Sequence, residues 1–329
     1  MTGLRFTLKA LIACIALAMV VPGKRSIGVY ASTPPQAAAK RIAFSFDDVP
    51  RGAGAFLSED ERTRKLIAVL RSRGVSQVAL FLNPGRIDNG AAGKAAMRRI
   101  RAYLAAGNVL ANHTWLHPHL SKVSAEEFLG QVDKAQEWLN KQPNHRAWLR
   151  FPFLDEGGPD KAKVAAVRAG LAARGIRNGH VTAEASDWNI EGLTIAAKKA
   201  GKTIDMAGLR DLYVESHVQA ADFADQLAIK TIGRSPAHVM LLHETDIAAL
   251  FIGDLIDALR RDGWEIITPD LAYADPIYLS LPDVPWTNGT LTEQMAWEKK
   301  VPPPRYYDRN DLKIANPLFA ERVLHEKVQ

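Results

Sequence analysis

From residue 41 onward, short apolar runs of β type alternate with amphipathic helical patterns along most of the chain. Seven of these runs predict strands, at residues 42–46, 75–82, 108–111, 147–151, 177–182, 238–242 and 265–267. A strand–helix–strand order makes successive strands parallel, because each helix returns the chain to the edge where the previous strand began. The pattern therefore predicts an α/β fold whose strands form a barrel or near-barrel and not an open doubly wound sheet.

Helical segments of ordinary length separate these strands. The predicted helices cover residues 59–73, 94–106, 125–140 and 247–261. Ser58 with Glu61, and Ser124 with Glu127, have the spacing of a capping box and predict where the first and third of these helices begin. Residues 192–235 are longer than one helix requires, so we expect a helical excursion there.

The first 31 residues have the layout of a secretory signal peptide. Arg5 and Lys9 form a basic segment, residues 11–21 form an apolar one, and Ala31 ends a cleavage site with small residues. The apolar stretch is too short to span a bilayer as a helix. We therefore expect an exported protein, periplasmic or secreted, with no stable membrane insertion after cleavage. Lipidation at Cys14 and an uncleaved anchor are the alternatives.

Composition divides the chain into four parts. Residues 1–31 are the expected signal peptide, residues 32–40 a short linker, residues 41–272 the α/β domain, and residues 273–329 a C-terminal extension rich in proline and aromatic residues. We expect that extension to wrap the surface of the domain and not to form a second domain.

The formal net charge of +6 is concentrated in the segment that would be removed. Residues 1–31 hold four basic residues and no acidic one, so without them the charge falls to about +2, which is ordinary for a soluble protein. No glycine-rich phosphate loop follows the first predicted strand. The sequence therefore supports neither nucleic-acid nor nucleotide binding.

Cys14 is the only cysteine, and it lies within the expected signal peptide. A mature protein without it has no disulfide, no thiolate ligand and no cysteine nucleophile. Any metal site must then use His, Asp and Glu side chains.

Chemically versatile residues cluster directly after the predicted strands. In chain order they are Asp47, Asp48, His113, His117, Arg150, Asp187, Trp188, His243 and Glu244. In a barrel of parallel strands, these positions converge at the carboxyl-terminal face, where active sites are built. Scattered structural polar residues would not share that position, so we expect a single site.

The residue types at this face suit metal-assisted hydrolysis. Two histidines and one carboxylate make a three-ligand set with an open position for water. Because Pro118 disfavours a helix at His117, we expect the His113–His117 pair on an irregular loop. A second aspartate could accept a proton from water, Arg150 could orient that aspartate, and His243 could protonate a leaving amine.

Five short motifs resemble those of the polysaccharide deacetylases, the family with the NodB homology domain that is also called carbohydrate esterase family 4. In chain order they are SFDDVP at residues 45–50, HTWLH at 113–117, RFPF at 150–153, SDW at 186–188 and LLHE at 241–244. Their order and strand-end placement match the family pattern over residues 41 to about 270. The family fold is a distorted (β/α) barrel, which agrees with the number of predicted strands.

The resemblance implies a metal centre with an acid and a base beside it. It implies Asp48, His113 and His117 as ligands of Zn²⁺ or another divalent metal such as Co²⁺ or Ni²⁺. Asp47 would be the catalytic base, and His243 would be the general acid.

The resemblance also implies supporting roles. Arg150 would orient the base, with Asp187 holding Arg150. The backbone amide of Phe153 would stabilise the oxyanion of the tetrahedral intermediate. Leu241 and Trp188 would shape the pocket that receives the acetyl methyl group.

The implied activity is removal of N-acetyl groups from an amino-sugar polymer such as peptidoglycan, a chitin-like chain or poly-N-acetylglucosamine. The alternatives are an O-acetyl esterase on a xylan-type glycan, a cyclic-amide hydrolase and a non-catalytic glycan-binding protein. The complete Asp-His-His set counts against the last two. Val49-Pro50 and Leu154 depart from the family pattern beside the expected substrate groove, so the motifs leave the choice of polymer open.

Overall fold

A parallel β-barrel surrounded by helices forms the core of the protein, which a computed structural model describes over residues 40–88 and 90–327. The strands are β1 (Lys40–Val49), β2 (Ala79–Leu82), β3 (Val109–Asn112), β4 (His145–Leu149), β5 (Asp155–Gly158), β6 (Arg177–Asn178), β7 (Ala237–His243), β8 (Trp264–Ile266) and β9 (Thr287–Asn288). The helices are α1 (Glu59–Ser72), α2 (Ala91–Ala105), α3 (Ala125–Leu139), α4 (Lys161–Ala173), α5 (Asp187–Lys199), α6 (Met206–Ile232), α7 (Asp246–Arg261), α8 (Pro269–Ala272), α9 (Leu291–Glu298) and α10 (Leu312–Leu324). The predicted signal peptide, its Cys14 and residues 32–39 of the predicted linker lie outside the described residues, whereas Lys40 belongs to β1.

The strands lie in the order β6-β4-β3-β2-β1-β7, and β8 pairs in parallel with the first three residues of β1. The chain that leaves β6 then reaches β7, where Ala183 pairs in parallel with Met240 and the Leu241 N–H donates to the Ala183 carbonyl at 2.9 Å. One segment therefore contacts β4 at its start and β7 at its end. This contact closes the sheet into a distorted barrel and confirms the predicted fold class.

All seven predicted strands are present, although some are shorter than predicted. β2 begins at Ala79, whereas the prediction began at residue 75, because the residues between α1 and β2 form an irregular loop. β6 is only two residues long. The antiparallel pair β5 and β9 was not predicted, since Gly157 and Gly158 in β5 hide any strand-like alternation.

The predicted helices are confirmed to within about three residues. Ser58 and Glu61 form the full capping box at the start of α1, whereas at α3 Ser124 accepts a hydrogen bond from the Glu127 N–H without the reciprocal bond. The excursion predicted at 192–235 consists of two helices, α5 and α6. No helix within residues 40–88 and 90–327 is long and apolar enough to cross a membrane.

Alternation along β1 decides which of its side chains reach the site. Ile42, Phe44 and Phe46 pack with the surrounding helices, whereas Ala43 belongs to the cluster inside the barrel. Because side chains alternate between the two faces of a strand, Asp47 shares the inner face with Ala43. β1 thus packs its bulky residues against the surrounding helices and places the Asp47 carboxylate inside the barrel, at the carboxyl end of the strand.

The residues after β8 contribute to both the interior and the surface. Tyr273, Ile277, Tyr278, Leu291 and Met295 are buried in the same cluster as the small residues of the barrel interior. Farther along, α10 packs against α6 through buried side chains. The C-terminal extension therefore fills one end of the barrel as well as covering it.

Candidate active site

The carboxyl ends of β1, β3, β4 and β7 carry the site. Asp47 and Asp48 are at the end of β1, His113 follows β3, Arg150 follows β4, and His243 ends β7. The parallel register of β1 and β7 sets Asp47 directly beside His243. Residues from four distant parts of the sequence therefore meet at one face of the barrel, as their strand-end positions predict.

In a regular strand, Asp48 would lie on the outer face together with Phe46, but the backbone of β1 bends between Phe46 and Val49. The register between β1 and β2 shifts between Phe46 and Val49, and Asp48 has a positive φ of 66°. Such an irregularity redirects a side chain. It brings the carboxylate of Asp48 to the same cavity as that of Asp47.

Three potential metal ligands converge at this point. One donor atom from each of Asp48, His113 and His117 lies within 4.8 Å of the other two. The Nε2 atoms of the two histidines are 3.1 Å apart, and Asp48 Oδ1 lies 3.1 Å from His117 Nε2. Asp48 Oδ1 is buried and has no hydrogen-bond partner among the described residues. Two imidazole nitrogens and one buried carboxylate oxygen that accepts no hydrogen bond from the described residues fit a divalent cation with an open coordination position.

Burial keeps both imidazoles neutral near neutral pH. It lowers the pKa of His113 to about 4, and burial together with the neighbouring His113 lowers that of His117 to about 3. His113 Nδ1 lies 2.8 Å from the Arg150 carbonyl, which can only accept, so the proton resides on Nδ1 and Nε2 has a free lone pair. Neutral imidazoles with one nitrogen fixed in this way are the form that binds a metal.

The loop between the two histidines is held by side chains of neighbouring strands. Thr114 and His117 have positive φ angles of 66° and 65°, so the prediction of an irregular loop before Pro118 is confirmed. Asn83, which follows β2, donates to the carbonyls of His113 and Thr114. These bonds fix the backbone on which both imidazoles are mounted.

Arg150 and Asp47 form a buried pair. Arg150 Nη1 donates to both carboxylate oxygens of Asp47 at 3.1 Å, and Nη2 donates to Ser45 Oγ at 3.2 Å and the Tyr273 hydroxyl at 3.1 Å. Burial raises the pKa of Asp47, while the guanidinium charge opposes that rise. The orientation of Asp47 is therefore set by a charge that cannot itself be lost.

Asp187 contacts His243 and not Arg150, contrary to the role implied by the resemblance. Its Oδ1 lies 2.7 Å from His243 Nδ1, and its Oδ2 accepts the His243 backbone N–H at 2.8 Å. The reason is the barrel closure: the chain after β6 joins β7 at Ala183, so α5 begins beside β7 and away from β4. Arg150 is held instead by the Tyr273 hydroxyl, Ser45 Oγ and the Gly179 carbonyl.

The Asp187 contact controls the proton on His243. Burial by itself lowers the pKa of this imidazole, but the charge of Asp187 and the hydrogen bond to it give a net rise. Because Nδ1 donates to a carboxylate, Nε2 is the ring atom that can exchange a proton with a bound molecule. Nε2 makes no hydrogen bond within residues 40–88 and 90–327.

A cavity of about 510 Å³ lies above these groups. Eight of the ten residues predicted for the site line it, and these are Asp47, Asp48, His113, His117, Phe153, Trp188, Leu241 and His243. Arg150 and Asp187 are buried behind it, in contact with Asp47 and His243. The volume lies in the usual range of small-molecule sites, about 300–1,000 Å³.

Phe153 stands at the rim of the cavity. Its φ is 59°, its side chain is exposed, and its ring lies 4.5 Å from the His117 ring and stacks on the His119 ring. His119 contacts Asp155 and is not part of the three-ligand cluster. The turn at RFPF thus sets the exposed Phe153 side chain next to the three potential metal ligands.

Several residues of the site were not identified from the sequence. Ser45 and Tyr273 bind Arg150, while Arg51 and Arg86 lie 3.2 Å and 3.4 Å from the oxygens of Asp48. Ser45 belongs to a motif and faces the same way as Asp47, so strand alternation could have revealed it. Tyr273 lies directly after α8, and its contact with Arg150 depends on tertiary structure alone.

Comparison with known proteins is consistent with this geometry. Residues 35–173 match the family model described as polysaccharide deacetylase. A peptidoglycan-N-acetylglucosamine deacetylase from Bacillus cereus is 30% identical over 115 residues, which is 34% of this chain and 36% of that protein. The alignment therefore spans about a third of the relative, and Asp187 and His243 lie beyond the part of the chain that the family model matches.

The solved structures that resemble this chain are more distant in sequence. A family 4 carbohydrate esterase from Streptomyces lividans is 19% identical and covers 71% of this chain and 97% of its own, with a TM-score of 0.46. A chitin deacetylase from Colletotrichum lindemuthianum is 19% identical, with 71% and 87% covered and a TM-score of 0.47. A family 4 pseudoenzyme from Bacillus anthracis is 15% identical, with 72% and 66% covered and a TM-score of 0.48.

The matched region and the site coincide. Residues 35–173 include the first three sequence motifs and all three residues of the Asp48, His113 and His117 cluster. Through this region, the chain is similar to the polysaccharide deacetylases.

Proposed function

We propose that this protein is a metal-dependent hydrolase that removes N-acetyl groups from amino-sugar units of a glycan. The observation that carries the proposal is the cluster of Asp48, His113 and His117 with a second carboxylate, Asp47, beside it and an imidazole, His243, on the same cavity. A hydrolase needs a site for the electrophile, a base and an acid within reach of one bound group. All three are combined in this cavity.

Asp48, His113 and His117 would hold the metal. A divalent cation such as Zn²⁺, Co²⁺ or Ni²⁺ supplies Lewis-acid activation of a water molecule and of the acetyl carbonyl. The two neutral imidazoles and the ionised carboxylate need no rearrangement of protons to act as ligands. The low pKa values of both histidines support this assignment.

Asp47 would accept the proton of the attacking water. Its oxygens are both held by Arg150, so the carboxylate has one orientation, and the guanidinium favours the ionised form that a base requires. The neighbouring Asp48 faces the two histidines instead. The two adjacent aspartates thus have different partners, which suits them to different roles.

His243 would donate a proton to the departing amine. Asp187 holds its Nδ1, raises its pKa, and leaves Nε2 available on the cavity side. A protonated imidazole with a raised pKa remains a donor at neutral pH. The Phe153 amide would stabilise the oxyanion, and Leu241 and Trp188, which line the cavity, would enclose the acetyl methyl group.

We propose a glycan that contains N-acetylglucosamine as the substrate. The support is the similarity to the Bacillus cereus protein, which is a peptidoglycan-N-acetylglucosamine deacetylase. The same residues could cleave an O-acetyl ester, so the substrate must be tested against one.

Acetate release from a panel of acetylated glycans tests the proposal. N-acetylglucosamine oligomers and peptidoglycan should give acetate, acetylated xylan should give little, and a chelator should abolish release until a divalent metal is added back. Activity on xylan alone would establish the esterase instead. Activity that survives complete removal of metal would contradict the metal role.

Asp47→Asn separates catalysis from metal binding. Because Asp47 contacts Arg150 and is not one of the three clustered ligands, the variant should lose acetate release by about 10²-fold or more. Metal analysis should give the same stoichiometry as for the unchanged protein. His117→Ala is the matched comparison and should lose both activity and metal. Full activity of Asp47→Asn would refute its role as the base.

We further propose that the protein acts outside the cytoplasm. The support is the basic and apolar pattern of residues 1–31 together with the cell-wall polymer named for the similar Bacillus cereus protein. N-terminal sequencing of the protein recovered from the cell envelope or medium should begin after Ala31. Recovery of the intact N-terminus in the cytoplasm would contradict export.

A further inference from the structure

Exposed aromatic side chains are confined to one part of the surface. Among residues 40–88 and 90–327, five Phe, Trp and Tyr side chains are exposed, and these are Phe153, Trp188, Trp286, Trp297 and Tyr306. The first two line the catalytic cavity, and the other three line a second cavity next to it. Single exposed apolar residues are common on proteins, but a continuous group of them indicates a binding surface.

The second cavity has a volume of about 390 Å³ and adjoins the catalytic one. Leu154, Glu184, Asn288, Gly289 and Asn310 line both cavities. A molecule that extends from the catalytic cavity past these residues therefore reaches the second. The remaining wall comes from residues 284–306 of the C-terminal extension, which lie outside the region that matches the family.

The aromatic rings in the second cavity are held in place by the fold. Trp286 directly precedes β9, which pairs with β5, and its ring lies against Gly158, where an added Cβ would be 3.5 Å from the indole. Because β5 follows the turn that contains Phe153, the two cavities share one rigid wall. Trp297 on α9 donates to the Tyr306 hydroxyl, and the Arg305 guanidinium lies 4.2 Å from its ring centre.

The polar groups of this surface suit a sugar better than an apolar ligand. Asn288 and Asn310 offer amide donors and acceptors, and Glu184 offers a carboxyl, at the junction of the two cavities. A pyranose ring has an apolar C–H face and a hydroxylated edge, so it requires aromatic planes with polar groups beside them. This combination is present at the junction and along the wall formed by the extension.

We infer that the cavity lined by Trp286, Trp297 and Tyr306 is a binding subsite for a further pyranose unit of the same glycan chain. The inference rests on the proposed function, because the unit to be deacetylated must occupy the catalytic cavity. It deepens that function by assigning the enzyme to oligomers and polymers and by giving the C-terminal extension a role in substrate binding.

The test is the dependence of activity on chain length. With N-acetylglucosamine and its oligomers up to the hexamer, kcat/KM of the unchanged protein should rise with length. Trp286→Ala removes one aromatic contact and should lower kcat/KM on the hexamer by on the order of tenfold. It should leave kcat/KM on the monosaccharide, which is too short to reach Trp286, nearly unchanged. Tyr306→Ala is a second variant with the same expected pattern.

Leu281→Ala is the matched control, because Leu281 belongs to the same extension, is as exposed as Trp286 at 60%, and lines neither cavity. It should leave the whole length profile unchanged. Equal thermal unfolding of the three variants would exclude misfolding as the cause. A length profile in Trp286→Ala and Tyr306→Ala identical to that of the unchanged protein would overturn the subsite.

Binding to an inactive protein distinguishes failure of the subsite from failure of the proposed activity. The hexamer should bind Asp47→Asn more tightly than the monosaccharide in calorimetric titration, and adding Trp286→Ala should reduce that difference. If no acetate is released from any glycan but the hexamer still binds through Trp286, the proposed activity is wrong and the subsite stands. Equal affinity for monosaccharide and hexamer would refute the subsite.

Discussion

At the scale of single residues, the hydrogen-bond and ion-pair partners of each charged group in the site determine its orientation and its pKa. Asp47 and Asp48 are neighbours in sequence, yet Asp47 is held by one buried guanidinium, whereas Asp48 faces two imidazoles and two part-exposed guanidinium groups. His113 is buried and His243 is part-buried, and the first has a lowered pKa and the second a raised one. The difference arises because only His243 has a carboxylate hydrogen-bonded to its ring.

Asp187→Asn tests that contact. Burial alone lowers the pKa of His243, so removing the Asp187 charge should lower that pKa below its present raised value. The protonated form is lost as pH rises through the pKa, and the alkaline limb of the kcat profile should therefore move to lower pH. Profiles of acetate release against pH would measure the shift.

Asp211→Asn, at an exposed carboxylate on α6, is the control and should leave both limbs in place. An alkaline limb that does not move in Asp187→Asn would show that another group donates the proton. Loss of metal in this variant would instead indicate a wider structural effect.

At the scale of elements, a buried polar network ties the loop after β1 to two helices and to the end of β7. Glu244, at the end of β7, accepts hydrogen bonds from the Arg51 N–H at 3.2 Å, the Thr63 hydroxyl at 3.3 Å and the Tyr103 hydroxyl at 2.7 Å. Its carboxylate also lies 3.7 Å from the buried Arg62 guanidinium. These contacts join β7 to α1, α2 and the segment that follows Asp48.

Glu244→Gln should destabilise the protein because it removes the charge opposite Arg62 and sets an amide donor against other donors. Breaking a buried pair costs about 3–5 kcal/mol, and we expect about 3 kcal/mol here because Arg62 keeps bonds to the Gly52 and Arg51 carbonyls. Denaturant unfolding would measure the loss. Glu137→Gln, in an exposed pair on α3, should change the free energy of unfolding by less than about 0.5 kcal/mol.

A loss below about 1 kcal/mol in Glu244→Gln would show that the loop after Asp48 is held by other contacts. Activity is a second measurement, because Arg51 lies 3.2 Å from Asp48 and moves with the loop. Acetate release should fall together with stability.

At the scale of the whole molecule, the C-terminal extension completes the barrel. Its buried side chains fill the interior beside Ala43 and Phe81, and the Tyr273 hydroxyl reaches Arg150 behind the site. The same segment forms one wall of both cavities. The extension therefore contributes both to the hydrophobic core of the barrel and to the walls of the site.

A chain that ends at residue 272 should fail to fold cooperatively. Five apolar side chains, Tyr273, Ile277, Tyr278, Leu291 and Met295, would be lost from the interior, each contributing about 1.5–3 kcal/mol of burial. Their sum is comparable to the entire stability of a typical domain, about 5–15 kcal/mol. Solubility, circular dichroism and denaturant unfolding would measure the effect. A chain that ends at residue 325 is the control, and its solubility and unfolding should match those of the full chain. Cooperative unfolding of the chain that ends at residue 272 would contradict the prediction.

Local sequence patterns predicted most of the strands and helices but not how the sheet closes into a barrel. The runs at 42–46 and 238–242 correspond to β1 and β7, and the motif residues Asp47, His113 and His243 lie together as their strand-end positions predict. The partner of Asp187 was predicted wrongly, because that contact depends on where the chain after β6 meets β7. No local pattern encodes a parallel pairing between segments so far apart in sequence.

The sequence by itself determined the α/β class, the strand-end cluster of Asp, His and Arg side chains, and the irregular loop before Pro118. These follow from alternation, capping and backbone restriction, which act over a few residues. Only the tertiary structure decided that Asp187 holds His243, that Tyr273 holds Arg150, and that the extension lines the cavity beside the site. Those contacts join distant segments, and their free energy depends on barrel closure, to which every strand contributes.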